Sequence, residues 1–349
     1  MTVVTDDTLP MPPRAMRDEM IVFVVMALLL AAVPFSGIYQ FFVMQALCFA
    51  LLACAFNLLI GYGGLLSFGH AMFMGTAGYC SAHALKVWGL PPELGILVGI
   101  VAAFGLSLIT GFISIRRQGI YFSMITLALS QLLYFIYLQA PFTHGEDGIQ
   151  GIPQGRMFGL LDLSNSTVLY YVVMVGFLAG FLLIYRIINS PFGEVLKAIR
   201  ENEPRAISLG YDVDRYKLLA FVLSAALAGL AGATKTLVLG FETLTDVHWS
   251  MSGLVILMTL VGGMGTLAGP IIGACLVVAL ENRLGDLGAW LAGVTHVEWF
   301  NGLGESVGIV TGFVFVACVL LFRRGVVGEI AALMAARPRA HTGAQGASS

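Results

Sequence analysis

Ser67 and His70 are three residues apart, a spacing that lets a hydroxyl nucleophile and an imidazole base share one helix face. Such a pair needs a second acid to orient the base, or donors to hold an oxyanion. Neither accompanies it. Residues 229–236 read Gly-Leu-Ala-Gly-Ala-Thr-Lys-Thr, one substitution away from a phosphate-binding loop. Thr234 stands where the second glycine must be, and no strand precedes it, so the bare backbone amides that cradle phosphate are missing. Lys235 instead falls near the end of an apolar run, where a long side chain reaches water. Cys48, Cys54, Cys80, Cys275 and Cys318 lie inside apolar runs without CxxC spacing. They read as packing residues, with neither metal ligands nor a cofactor site implied. Enzymatic chemistry is thus poorly supported.

Other polar residues interrupt the apolar runs, and these suit a path across a membrane. Gln45, Asn57, Ser67, His70, Thr126, Ser130 and Gln131 each sit where an unpaired polar group is costly. Each alone fits an interhelical hydrogen bond. Their clustering near a glycine break at Gly61-Tyr62-Gly63-Gly64 favours a shared interior. A second break spans Gly262 to Pro270 and includes Gly263 and Gly265. Gly63 and Gly69 match the spacing of Gly263 and Gly269, a hint of internal duplication. Gln45, Asn57, Ser67, His70, Thr126, Gln131, Gly263 and Gly265 are therefore the candidate path residues. No Asp or Glu falls in the middle of an apolar run, which argues against a proton- or sodium-coupled carrier.

The elements that must position these residues are membrane helices. Of 349 residues, 58% are hydrophobic and 11% are charged, where a soluble domain averages about 25% charged. Mean hydropathy is +0.90. Apolar segments fall at 20–36, 39–60, 65–86, 94–115, 119–140, 168–188, 216–239, 250–262, 267–282 and 303–322. This predicts an all-α polytopic membrane protein of about ten transmembrane helices. The segments 250–262 and 267–282 are short for full spans, so eight spans plus a re-entrant hairpin is the alternative. All of the 18 Lys and Arg except Lys86, Arg156, Lys235 and Arg283 fall in loops or tails on one side. The positive-inside rule makes that side cytoplasmic, together with both termini. Residues 1–19 read as a retained cytoplasmic tail, 20–324 as the membrane domain, 141–167 as an outer loop and 325–349 as a cytoplasmic tail.

Small residues at helical spacing, Ala71, Gly75, Gly78 and Ala82, then Ala225, Gly229 and Ala233, mark faces that pack closely. Residues 191–217 form the most informative loop. Val195, Ala198, Ile199 and Asn202 share one helical face, ringed by Glu194, Lys197, Arg200, Glu201 and Glu203. Acidic and basic residues balance, so the segment is no polybasic lipid anchor. A short amphipathic helix between two spans suits a groove on a soluble partner.

Lys197-Ala198-Ile199-Arg200-Glu201-Asn202-Glu203, followed by Ala206 and Leu209-Gly210, resembles the coupling segment of the branched-chain amino acid ABC transporter permeases. Further stretches agree in order: Asn57 to Ala71 with Gly75 and Gly78-Tyr79, Tyr121 to Ala128, Gly145 to Pro153, and Gly262 to Thr266 with Gly269-Pro270. The set is most similar to the M-type subunit. The resemblance implies a type II ABC importer-like permease in a bacterial inner membrane. It implies a heterodimer with a second permease, two cytoplasmic ATPases, a periplasmic substrate-binding protein and surrounding lipid. The cargo implied is Leu, Ile or Val, with urea or a short-chain amide as the alternative. Lys197, Arg200, Glu201, Asn202, Glu203, Ala206 and Gly210 are then expected to couple to an ATPase, with the charged residues as rim ion pairs. The chain end lacks the proline usual after the last span, and the outer loop is more charged than is usual.

Overall fold

Helix α2 (Gln40–Asn57) and helix α9 (Val213–Leu239) form the centre of the bundle. Their most apolar windows are 83% and 72% buried, against 28% for α4 (Pro92–Ser114) and α5 (Ile120–Gln139). The last two therefore form the outer wall. The computed structural model describes residues 13–35, 37, 39–295, 312–313, 316 and 325–329. Around α2 and α9 stand α1 (Pro13–Ala32), α3 (His70–Lys86), α6 (Ser166–Ile188), α10 (Trp249–Gly262) and α11 (Gly269–Thr295). Among the described residues the fold is all-α apart from two short antiparallel strand pairs.

Small residues bring α3, α4 and α9 together. Ala77 and Ala103 flank Gly229, and Gly99 lies against the Ala77 carbonyl and Ala233. The stripe on α9 is thus a packing face between helices of this chain. The α3 stripe faces Val247, Asp246 and Glu242, in the segment that follows α9.

Long loops close one end of the bundle, here the loop end. Strand β1 (Ile149–Gln150) pairs antiparallel with β4 (Phe241–Glu242), just past α9. Strands β2 (Arg156–Met157) and β3 (Leu161–Asp162) form a small hairpin. Lys86 Nζ donates to the Gln150 carbonyl at 2.6 Å, and Ile152 N donates to the Gly240 carbonyl. The opposite end carries α7 (Pro191–Glu201) and α8 (Glu203–Ser208), folded into an elbow.

Among the described residues, five helices are long and apolar enough to cross a membrane: residues 40–62, 92–114, 120–139, 166–188 and 213–239. The sequence expected both 250–262 and 267–282 to be short. α10 is, at 14 residues, but α11 runs for 27, about 40 Å at the helical rise. Glu281, Asn282 and Arg283 looked like the end of a span, yet charged residues do not stop a helix. The first helix likewise begins at Pro13, inside the expected 1–19 tail, with proline in the opening turn where no donor is needed. The expected segment 303–322 and the tail 325–349 fall almost wholly outside the described residues.

Candidate functional site: the junction of two helix breaks and an elbow

Helix α2 ends in a π-helical turn, Leu58–Tyr62. Such turns are rare and recur at functional sites, because they displace the regular carbonyl ladder. Asn57 is 3% exposed at the start of this turn. Its Nδ2 donates to the Thr266 carbonyl at 2.9 Å, and its Oδ1 accepts from Gly265 N at 2.9 Å. One amide therefore joins the break after α2 to the break between α10 and α11. Gly265 has φ +80, which a side chain disfavours, and a Cβ there would sit 3.5 Å from the Gly61 carbonyl. Gly263, at φ +123, caps α10.

The elbow meets the same junction. Pro191 opens α7 and the Ser190 hydroxyl accepts from Gly193 N, a standard start signal. Leu196 is fully buried and lies against Gly63. Arg200, one turn on, donates from Nη1 to the Gly61 carbonyl. Asn202 ends α7 and caps α8, its Oδ1 accepting from Arg205 N at 3.1 Å. Gly210, at φ +88 with open space around it, ends α8 in the left-handed turn that its type suggests.

Several coupling candidates turn inward. Ala206 is 3% exposed and packs with Ile199, Val213, Val195 and Tyr216 of the same elbow. Its small size serves an internal contact. Glu203, expected on a rim, accepts from Lys217 Nζ at 2.7 Å and from Gln118 Nε2 at 2.7 Å. Lys217 is 4% exposed, so this pair fixes the elbow to α9. Lys197 pairs with Glu194 at 2.8 Å on the surface, and Glu201 is exposed. Among the exposed residues of the elbow are three large apolar ones: Ile207, Leu209 and Tyr211 are 56%, 70% and 41% exposed. Sequence reading passed over these three because the charges around them were more conspicuous.

The remaining path candidates scatter. Ser67 Oγ accepts from Gly69 N, just before α3. Thr126 Oγ1 accepts from Phe68 N at 3.2 Å and donates to the Ser123 carbonyl, tying α5 to that loop. His70 is fully buried among Phe56, Phe73 and Phe221. Its Nε2 lies 2.8 Å from Ser224 Oγ, which donates onward to the Ala55 carbonyl. The hydroxyl's single proton is thus committed, so Nε2 carries the other. Ser67 and His70 do not face each other, which removes the nucleophile–base reading. Gln45 on α2 and Gln131 on α5 are half-buried away from the junction.

The loop end holds a cluster that sequence reading missed. Lys235 pairs with Asp246, and both side chains are 5% exposed. The lysine expected to reach water is buried instead. Thr243 Oγ1 donates to Asp246 Oδ2 at 3.1 Å. Glu242 is 1% exposed, and its carboxylate fills the space that a Cβ on Gly78 would need. Burial, then the nearby Asp246 charge, push the Glu242 carboxyl well above the usual range. The geometry agrees. Thr236 Oγ1 lies 3.0 Å from the Gly232 carbonyl and 2.7 Å from Glu242 Oε2. One hydroxyl proton serves one of these acceptors, and a protonated Glu242 satisfies both contacts.

Comparison with known proteins covers most of the chain. Residues 38–321 match the model of a family described as branched-chain amino acid transport system / permease component. The high-affinity branched-chain amino acid transport system permease protein LivM of Salmonella typhimurium is 29% identical over 271 residues, covering 69% of this chain and 62% of that protein. LivM of Escherichia coli is 29% identical over 266 residues, covering 68% and 61%. The autoinducer 2 import system permease protein LsrC of Salmonella choleraesuis is 26% identical over 196 residues, covering 54% and 53%. The match thus spans about three-fifths of the length of the LivM proteins. Among solved structures, PsaBC from Streptococcus pneumoniae in complex with Fab aligns at 15% identity and TM-score 0.39, over 86% of this chain and 95% of that one. A likeness that low carries no argument.

Proposed function

Because the chain belongs to the branched-chain amino acid transport permease family, whose members are multi-pass membrane components and not catalysts, we propose that it is the M-type transmembrane subunit of an ABC importer for branched-chain amino acids. The proposal places it in a bacterial inner membrane with about ten spans in a type II arrangement, and the length of α11 favours full spans over a re-entrant hairpin. Both termini and the elbow at 191–217 face the cytoplasm, and the 141–167 loop faces the periplasm. Its partners are a second permease, two cytoplasmic ATPases and a periplasmic binding protein, with lipid around the outer wall.

One observation carries the coupling reading. The elbow leaves Ile207, Leu209 and Tyr211 exposed, while Glu203 and Ala206 are used in holding the elbow together and to α9. Exposed apolar side chains on a short amphipathic element suit a groove on a soluble partner. Gly210 sets the turn that presents them. ATP binding would close the ATPases, move the elbow and open or shut a path between the two permeases. Asn57, Gly263 and Gly265 form the junction nearest the elbow and are the proposed inner gate. Thr126 and Ser67 hold the adjoining loop, while Gln45 and Gln131 belong further along the path.

Reconstitution with the partner subunits tests this. Leu, Ile and Val should be imported with ATP, and urea, acetamide and autoinducer 2 should not. Import of urea or an amide alone would move the chain to the alternative cargo. Single cysteines at positions 150 and 209 in a cysteine-free background test sidedness with an impermeant thiol reagent. Position 150 should label in intact cells, and 209 only after the inner membrane is opened.

A further inference from the structure

We propose that Arg200 is a positioning residue that clasps the elbow to the break after α2, beside the second break, so that movement of the elbow reaches the junction through one guanidinium. The inference rests on the permease reading above and assigns Arg200 inward, away from any ATPase surface.

The π-helical turn creates the clasp's target. Leu59 and Ile60 keep backbone partners, since Gly63 N and Leu65 N donate to the Leu59 carbonyl and Gly64 N donates to the Ile60 carbonyl. The next carbonyl, that of Gly61, is taken by Arg200 from another element. A carbonyl released from a helix ladder needs a donor. The side chain lies across the break to reach it: a Cβ on Gly64 would sit 3.1 Å from Arg200 Cγ. The same guanidinium would stand 3.6 Å from a Cβ on Gly265, in the second break. Asn57 bonds that second break directly. The Arg200 fork therefore sits where α2, the α10–α11 loop and the elbow converge.

Its chemistry suits a contact that must shift. Among the described residues Arg200 has no carboxylate partner. A charge-assisted bond to a carbonyl is stronger than a neutral one, yet the fork remains partly in solvent. Letting go strands no buried charge. Leu196, one turn earlier on the same face, supplies the apolar footing on Gly63. A lysine could reach the carbonyl but would hold it less firmly in place, because it is a point charge on a flexible stem and lacks the planar fork.

The test uses the complete importer in proteoliposomes, with Arg200→Ala, Arg200→Gln and Arg200→Lys, and Glu194→Gln as an elbow control. Uptake by Arg200→Ala and Arg200→Gln should fall about tenfold or more, within the usual span of coupling terms. ATPase co-purification and basal hydrolysis should stay near wild type, and stimulation by the loaded binding protein should be lost. Arg200→Lys should recover part of the uptake. Normal uptake in Arg200→Ala overturns the proposal, and so does loss of the ATPase from the complex, which would make Arg200 a docking contact. If Arg200→Ala does not assemble, Arg200→Lys decides, since wild-type uptake in that variant would mean that the fork is idle. Amide exchange over residues 58–66 of the permease alone gives a readout without transport. It should rise in Arg200→Ala and not in Glu194→Gln. Unchanged exchange sinks the clasp, whereas a wild-type complex that imports nothing sinks only the permease reading.

Discussion

The two ends of the central bundle are held by different chemistry. At the loop end, Lys235 and Asp246 are sealed together beside the buried Glu242, which lies on the β1–β4 pair. At the elbow end, the Lys217–Glu203 pair ties α8 to α9, but the junction itself is held by Asn57 and Arg200 on backbone groups of the glycine breaks. Removing one partner of a buried ion pair costs about 3–5 kcal/mol. A neutral hydrogen bond contributes about 0.5–1.5 kcal/mol net. The first arrangement has one sharp optimum. In the second, the exposed Arg200 contact can be exchanged for water at less cost than a sealed ion pair. A bundle built this way yields first at the Arg200 contact, while the loop end and the Lys217–Glu203 tie stay fixed.

The largest test of that contrast is Asp246→Ala, which takes the paired carboxylate from buried Lys235 and leaves it only the neighbouring Glu242. Stability should fall by about 3–5 kcal/mol, read as loss of monodisperse protein on heating in detergent. Lys235→Met combined with Asp246→Leu should restore most of it. If Asp246→Ala is tolerated, the loop end is no stronger than the other.

Asn57→Ala comes next. It leaves the Gly265 amide without its acceptor and should cost about 1–3 kcal/mol. Uptake should fall further than thermal stability does, and its effect should be non-additive with that of Arg200→Ala. Equal losses in both measurements would make the junction a packing site.

Glu242→Gln sharpens the comparison by pH. The folded carboxyl titrates above its unfolded value. Its protonated form therefore adds stability in full below the unfolded value, and that contribution is lost as pH rises through the folded value. Wild type should weaken across that interval, and Glu242→Gln should be flat. At low pH the two should be nearly equal in stability.

Leu209→Ser is the mildest for folding. The residue is 70% exposed, so stability should change by no more than about 0.5 kcal/mol. Retention of the ATPase on the purified permease should nevertheless drop. Full retention would remove the apolar patch from the coupling surface.

Helices were legible wherever an apolar run met glycine, proline or a charged loop, as at both ends of α6 and α9. α11 was misjudged because Arg283 and its neighbours ended the apolar pattern without ending the helix. At the elbow, Gly210 and the Asn202 cap could be read directly, since a left-handed turn and a capping oxygen are properties of single residue types. Glu203 and Ala206 could not. Their partners, Lys217 and Val213, belong to the next helix, and amphipathic periodicity cannot tell a docking face from a fold-back. The Lys235–Asp246 pair was hidden for a similar reason. A lysine near a helix end looks the same in sequence whether water or a returning loop receives it.

The β1–β4 pair also sets an order of events during synthesis. Ile149 and Gln150 leave the ribosome well before Phe241 and Glu242, their partners across the ladder. At about 5–20 residues per second, the separation corresponds to roughly 5–20 s. Throughout that interval the first strand is an open edge, able to pair with whatever extended chain it meets. The loop end therefore waits for α9 to be made, and the Asn57 junction, which needs Gly265 and Thr266, closes later still. A chain halted before α9 would display that edge to proteases and to its neighbours.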